Sequence, residues 1–295
     1  MRILLLGKNG QVGWELRRVL APLGEVLALG RQDVDLQDLA ALRDMVLVAR
    51  PEVIVNAAAY TDVDRAESEP ESAFAINGEA PGVLAEAARA LHAVLVHYST
   101  DYVFDGDKAA PYEENDAPNP INAYGKSKLL GESRIQQAGG SAIILRTSWV
   151  YGLRRENFVT KVLRWAEQGQ VLRVATDQVG SPTWCRLLAE CTALLLARLE
   201  PDPYAGLLPH AGVYHLAGSG QATRYEWAQA VLQYATAQAR IGPVELLPAT
   251  AADFPSPARR PAYSALNCRK FESTFGLHLP DWRVSLEMAM DQGKG

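Results

Sequence analysis

Along the first 150 residues, short apolar runs alternate with longer stretches in which apolar positions recur at helical spacing. Arg2 to Leu6, Glu25 to Leu29, Val53 to Val55, Ala93 to His97 and Ala142 to Leu145 predict five strands. Where such a run lacks polar alternation, the strand has both faces covered, as in a parallel sheet. Helical spacing appears in Val12, Leu16, Val19 and Leu20, and again in Leu36, Leu39, Leu42, Met45 and Val46. It returns from Glu71 to Leu91 and from Ser127 to Ile135. Strand and helix in turn predict an α/β fold with a doubly wound, Rossmann-type parallel sheet. After Gly152 the alternation loosens. Phe158 to Glu167 and Cys185 to Leu199 read as helices, Val171 to Val174 and Val213 to Leu216 as short strands. The expected division is a dinucleotide-binding domain over 1–150 and a smaller, mainly substrate-binding domain over 151–295, with some segments returning to the first sheet.

The first strand runs into Gly7-Lys8-Asn9-Gly10-Gln11-Val12-Gly13, a glycine turn that opens a helix. Gly7 permits the tight turn, Gly10 lets the backbone approach a pyrophosphate, and Gly13 lets the helix lie close on the strand. The spacing is G-x-x-G-x-x-G, and a plain tight turn would carry the same glycines. Asn9, Gln11 and Val12 complete the candidate cofactor turn. The second strand ends at Gly30-Arg31, where an arginine suits a 2′-phosphate and an acidic residue would suit a ribose hydroxyl. NADPH is therefore the expected cofactor, with NADH left open by Asp33 and Asp35 nearby. Asp35 and Leu36 join the candidate cofactor set, although Asp35 also reads as the N-cap of the helix that follows. After the third strand, Ala57-Ala58-Ala59-Tyr60 leaves room for a flat group, which adds Ala58, Ala59 and Tyr60.

The fourth strand leads into Ser99-Thr100-Asp101, hydroxyls and a carboxylate at the strand end where open α/β sheets bind ligands. Tyr124 and Lys128 stand four residues apart, on one face of a helix one turn apart. A phenol near pKa 10 is a sluggish acid at neutral pH unless a cation stabilises its phenolate, and Lys128 is placed to be that cation.

Composition narrows the function classes. The chain has 295 residues, 48% hydrophobic and 21% charged, as a soluble globular protein does. A net charge of -5 and the lack of a basic run argue against a nucleic-acid partner. No stretch reads as a membrane span or a signal peptide, so a cytoplasmic protein is expected. Cys185, Cys191 and Cys268 show no metal or disulfide spacing, and the five histidines no ligand spacing, so no metal is expected. Arg259-Arg260 suits either a diphosphate or a solvated surface.

Taken in order, Gly7 to Leu16, His97 to Phe104, Arg146 to Tyr151, Asp177-Gln178 with Gly180 and Pro182-Thr183, and Arg260-Pro261 with Ser264 and Leu266-Asn267 form five collinear motifs. With Tyr124 and Lys128, they resemble the extended short-chain dehydrogenase/reductases, and within them the dTDP-4-dehydrorhamnose reductase family. The resemblance implies NADPH-dependent reduction of the C4 ketone of dTDP-4-dehydro-β-L-rhamnose. It implies Tyr124 as proton donor, Lys128 as partner of the phenol and the nicotinamide ribose, and Thr100 as donor to the ketone oxygen. Asp101 and Trp149 would line the sugar, Arg260 would meet the diphosphate, and a homodimer is implied as well. The alternatives are another nucleotide-sugar epimerase or dehydratase on the same scaffold, or a silent NADP-binding regulatory subunit. A single carboxylate beside Thr100 favours reduction over dehydration, and the complete Thr100, Tyr124, Lys128 trio favours an enzyme.

Overall fold

The computed structural model describes residues 1–169, 171–199 and 201–291; the final four residues of the expected second domain, with 170 and 200, lie outside them. Its frame is a six-stranded parallel sheet. Strands β1 (Arg2–Leu6), β2 (Glu25–Leu29), β3 (Val53–Asn56), β4 (Val94–Thr100) and β5 (Ala142–Thr147) lie in the order β2-β1-β3-β4-β5, and Gly212–His215 closes the edge beside β5. The order reverses between β1 and β3, which makes their carboxyl ends the place where an open sheet of this kind accepts a ligand.

The unbroken apolar runs behave as read. Ile3, Leu5, Val53, Val55, Val94 and Val96 face one core with Leu16 and Leu20 of helix α1 (Gln11–Leu20). Leu4, Leu6, Ile54 and Leu95 face the other with Leu42 and Val46 of α2 (Leu39–Ala49). Each fully buried leucine contributes roughly 1.5–3 kcal/mol, so neither sheet face can be left bare.

Several boundaries differ from the sequence reading, each for a local reason. Helix α2 is capped by Asp38, whose Oδ1 accepts from Ala41 N at 3.0 Å. Asp35 is therefore not the cap; it is exposed and accepts from Gln37 N at 3.0 Å. The stretch before β4 is α3 (Val63–Ser68), α4 (Pro70–Phe74), a π turn (Ala75–Glu79) and α5 (Ala80–Leu91), where one helix from Glu71 was expected. The π turn swings Asn77 inward, where its side chain accepts from Tyr60 N at 2.8 Å and donates to Tyr60 O at 3.0 Å. Strand β4 continues three residues beyond His97 and delivers Thr100 at its very end. Leu172–Ala175 pairs with Leu246–Ala249 in a separate small sheet. All three cysteines are buried and unpaired.

Candidate active site

The glycine turn sits at the sheet's reversal point. Gly7 has φ +87°, and a side chain there would lie 2.7 Å from the Ala57 carbonyl carbon. A Cβ at Gly13 would lie 2.0 Å from Gly7 O, so α1 can seat on the turn only without one. Gly10 heads α1 with no side-chain cap. The first backbone N–H groups of α1 are thus left for an anion, which the helix dipole also favours. At this position Gln11 offers only its backbone N–H. Its side chain is spent elsewhere, Nε2 donating to Val150 O at 3.4 Å and Oε1 accepting from Asn157 Nδ2 at 3.0 Å.

At the far end of the turn, Lys8 Nζ meets Asp33 Oδ2 at 2.6 Å, and Gly30 N donates to the same oxygen at 2.8 Å. Those two bonds hold the Asp33 carboxyl below its ordinary pKa. The carboxylate is thereby engaged, while Arg31 stands exposed beside it. Leu36 is buried in the core with Leu42 and Val46, so only its backbone is available to a ligand. Val12 packs against the core from a half-buried position, Asn9 is exposed, and Ala58, Ala59 and Tyr60 are half-buried.

Helix α6 (Ala123–Ala138) starts at Asn122, whose side chain accepts from Gly125 N at 2.7 Å and donates to Arg259 O at 2.8 Å. Gly125, a poor helix former, is explained by close approach: a Cβ there would lie 2.1 Å from Tyr102 O. That contact brings Tyr124 against the end of β4. The Tyr124 and Tyr102 rings meet edge-on at 5.9 Å, and the Thr100 side chain is near enough to act on the Tyr124 phenol. One turn along, Lys128 is 2% exposed, and its Nζ donates to Tyr98 O at 2.6 Å and lies 3.3 Å from His97 Nε2. Asn77 also reaches α6, donating to Ser127 Oγ at 3.0 Å, so the 57–60 segment and the helix that carries Tyr124 and Lys128 share one anchor.

The electrostatics depart from the sequence reading. Burial raises the Tyr124 pKa above its ordinary value, the nearby Thr100 hydroxyl opposes that rise, and Lys128 is not among the groups that move it. Burial also pulls Lys128 down to about 8, against the nearby Glu132 carboxylate. Glu132 and Arg146 form a buried ion pair at 2.6 Å, and Ser99 Oγ donates to Glu132.

Asp101 is buried. Thr100 Oγ1 donates to its Oδ1 at 3.0 Å, and Ser148 and Ser264 donate to its Oδ2 at 2.9 and 2.6 Å. It latches the end of β4 to the 148 and 264 segments and leaves little acceptor capacity for a sugar. Trp149 is held at φ +44°, a backbone region that costs a non-glycine residue roughly 1–3 kcal/mol. Its ring stacks on Trp227 at 5.5 Å, and the Arg224 guanidinium lies over it at 3.6 Å. Arg224 opens the helix Arg224–Ala237, whose start is fixed by a capping box between Thr223 and Glu226. Arg260 Nη2 bonds Asp64 at 2.7 Å, and both Arg260 and Arg224 stand near enough to the Tyr102 phenol to act on it. Two guanidinium groups thus converge beside the Tyr124 ring's neighbour.

Sequence reasoning missed Arg224 and Asn77. Arg224 sits in Ala222-Thr223-Arg224-Tyr225-Glu226, where only the capping box could have been read. Asn77-Gly78, inside an alanine-rich helical run, was a legible irregularity. Among the described residues no cluster of metal-type side chains is present, and Glu15 is engaged by Arg18 and Arg186, both at 3.1 Å.

The arrangement matches known proteins over the whole chain. Residues 1–294 match the family model described as RmlD substrate binding domain. The chain belongs to this family. A dTDP-4-dehydrorhamnose reductase of Burkholderia thailandensis is 44% identical over 98% of each chain, and one of Escherichia coli K12 is 43% identical over 99% of this chain and 98% of that one. Among solved structures, the dTDP-4-dehydrorhamnose reductase of Clostridium acetobutylicum superposes with a TM-score of 0.91 at 33% identity, covering both chains in full. That of Bacillus anthracis, in complex with NADP, gives 0.88 at 32% identity over 99% of each. A UDP-glucose 4-epimerase of Thermus thermophilus, at 22% identity and a TM-score of 0.79, shares the fold. Within the RmlD family, then, this chain keeps the glycine turn, the tyrosine-lysine helix and the Trp149 segment together at one end of the sheet.

Proposed function

We propose that this chain reduces the C4 ketone of dTDP-4-dehydro-β-L-rhamnose to dTDP-β-L-rhamnose, using NADPH. The observation that carries the reading is the packing of Tyr124 against the end of β4, where Thr100 stands, with Lys128 one helical turn behind. NADPH, when bound, supplies the hydride. The uncapped start of α1 holds the coenzyme's pyrophosphate, and Lys8 and Arg31 face its 2′-phosphate. Ala58, Ala59 and Tyr60 leave space for the rest of the molecule.

Tyr124 gives its O–H proton to the oxygen of the ketone as that oxygen gains negative charge. Thr100 stands at the same strand end, and its hydroxyl turns from Asp101 Oδ1 to that oxygen, the kind of aimed donor that contributes a few kcal/mol. Burial makes the phenol a weak acid in the free protein, which suits a group that must keep its proton until an alkoxide forms. Lys128 places a cation behind the phenol. Arg224 and Arg260 take the sugar nucleotide's diphosphate, with Arg224 held flat by Trp149. Asp101 acts through Thr100 by holding its hydroxyl until the ketone oxygen arrives to accept it. A homodimer and a cytoplasmic location complete this reading; among the described residues no helix is long and apolar enough to cross a membrane. Incubation with NADPH and the 4-keto sugar nucleotide, with the product identified by NMR, tests the activity. A product other than the rhamnose epimer at C4 would reject it.

A further inference from the structure

A line of hydrogen bonds runs beneath the active site from the third strand to the catalytic helix. Ala58 N donates to Asn56 Oδ1 at 3.2 Å, Asn56 Nδ2 meets His97 Nδ1 at 3.1 Å, and His97 Nε2 meets Lys128 Nζ at 3.3 Å. Asn56, His97 and Lys128 are all buried, at 0%, 1% and 2% exposure. Water is therefore a poor substitute for any member of the chain.

The chain has a direction. An amide side chain offers one acceptor and one donor end, and a neutral imidazole accepts at one nitrogen and donates at the other. A backbone N–H can only donate, so Asn56 must turn Oδ1 towards Ala58 and Nδ2 towards His97. His97 must then accept at Nδ1 and carry its proton on Nε2, which points at Lys128. Burial keeps the ring neutral by holding its pKa well below the ordinary value. An ammonium has three donors and no acceptor, whereas a neutral amine has a lone pair. A charged Lys128 therefore meets a donor with a donor, while an uncharged one completes the chain. Its other bond, to Tyr98 O at 2.6 Å, is satisfied in either state.

We propose that His97 is a positioning residue for the reduction, one that presents Nε2–H to Lys128 and so poises the side chain between ammonium and amine. The proposal rests on the reading of Lys128 as catalytic. The titratable groups around Lys128 are few. Along α6 stand Tyr124 and Glu132; Glu132 favours the ammonium but is itself bound by Arg146 of β5. From β4 and the turn after it come His97, Asp101 and Tyr102. Glu79 of the π turn is committed to Arg134 at the surface. The poise has a use in the reaction. When Tyr124 has passed its proton to the alkoxide, the phenolate needs a replacement; where the Lys128 ammonium supplies it through an intervening hydroxyl or water, the amine left behind is the form that His97 Nε2–H stabilises. Between turnovers a proton from solvent, relayed through the emptied active site, restores the ammonium.

The test reads the ring directly. In protein labelled with nitrogen-15 at histidine, the His97 signals should report a neutral ring protonated at Nε2 throughout the neutral range. A ring protonated at Nδ1 overturns the proposal. In a His97→Gln variant, whose amide can turn its oxygen to Lys128, the alkaline limb of kcat should move up by about one pH unit or more. A folded variant that loses activity equally at every pH, with the limb unmoved, assigns His97 a purely structural role and also overturns it. Failure of the reductase reading would appear separately, as absence of NADPH oxidation by the unaltered protein, because the tautomer is measured without turnover.

Discussion

The guanidinium of Arg224 lies 3.6 Å over the Trp149 ring, and the same arginine stands beside the Tyr102 phenol. A planar cation fixed between an indole and a phenol is preorganised for a diphosphate, because little side-chain freedom remains to be lost on binding. Lysine keeps the charge but cannot stack or present a fork. Arg224→Lys should raise KM for the sugar nucleotide at least about tenfold and leave kcat within a few-fold, since the contact lies away from the reacting carbon. Steady-state kinetics at fixed, saturating NADPH checks this; an unchanged KM removes Arg224 from the substrate site.

The proposed mechanism makes Tyr124 the proton donor. Tyr124→Phe keeps the ring against Tyr102 and should lower kcat about a hundredfold or more, with NADPH affinity nearly unchanged. Turnover is measured by loss of NADPH absorbance and affinity by fluorescence titration. A mutant with near-normal kcat is incompatible with the mechanism.

Gly125 holds the helix against Tyr102 O. Gly125→Ala would normally strengthen a helix by up to about 1 kcal/mol. Here the added methyl falls 2.1 Å from a backbone oxygen, so a net destabilisation of about 1–3 kcal/mol is expected, together with reduced kcat as Tyr124 shifts. Urea unfolding followed by circular dichroism decides the sign. A more stable variant contradicts the close packing.

Two buried histidines set the acid limit of the fold. His215 is fully buried, and burial with the nearby Arg146 pulls it down to about 3, from an ordinary 6.5; His97 is lowered in the same direction. Between those values an unfolded chain takes up the proton and the native one does not, so stability is unaffected above 6.5 and declines as pH falls below it. The slope is about 1.4 kcal/mol per pH unit for each such histidine, or about 2 kcal/mol from His215 at pH 5. Asp101, shifted upward by burial, works in the opposite sense only nearer its own range. Urea midpoints at pH 7 and pH 5 should therefore separate, and equal midpoints would contradict neutral buried rings.

The parts of the molecule that were legible in the sequence are those built on periodicity. Runs such as Ile3 to Leu6 have no polar side to turn outward, so they could only be central strands. The glycine turn and the Tyr124–Lys128 spacing are similarly local. What could not be read was anything decided by distant partners. Asp101 looks like a ligand in the sequence, yet Ser148 and Ser264, brought in by the fold, occupy its oxygens. Lys128 looks like a simple neighbour of the phenol, yet its ammonium is bonded to Tyr98 O and faces His97. Arg224 becomes part of the site only because Trp149 is turned out of ordinary backbone space to meet it. Asp35 and Asp38 are equally plausible caps by spelling, and the backbone, not the sequence, chooses Asp38.

The most direct test of the whole account is a single-turnover reaction of the purified protein with NADPH deuterated at the transferred position and dTDP-4-dehydrorhamnose, with the product read by NMR. The account predicts deuterium at C4 of dTDP-rhamnose, and no transfer on the same timescale in Tyr124→Phe. Deuterium retained on the coenzyme, or the same rate in both proteins, would contradict it.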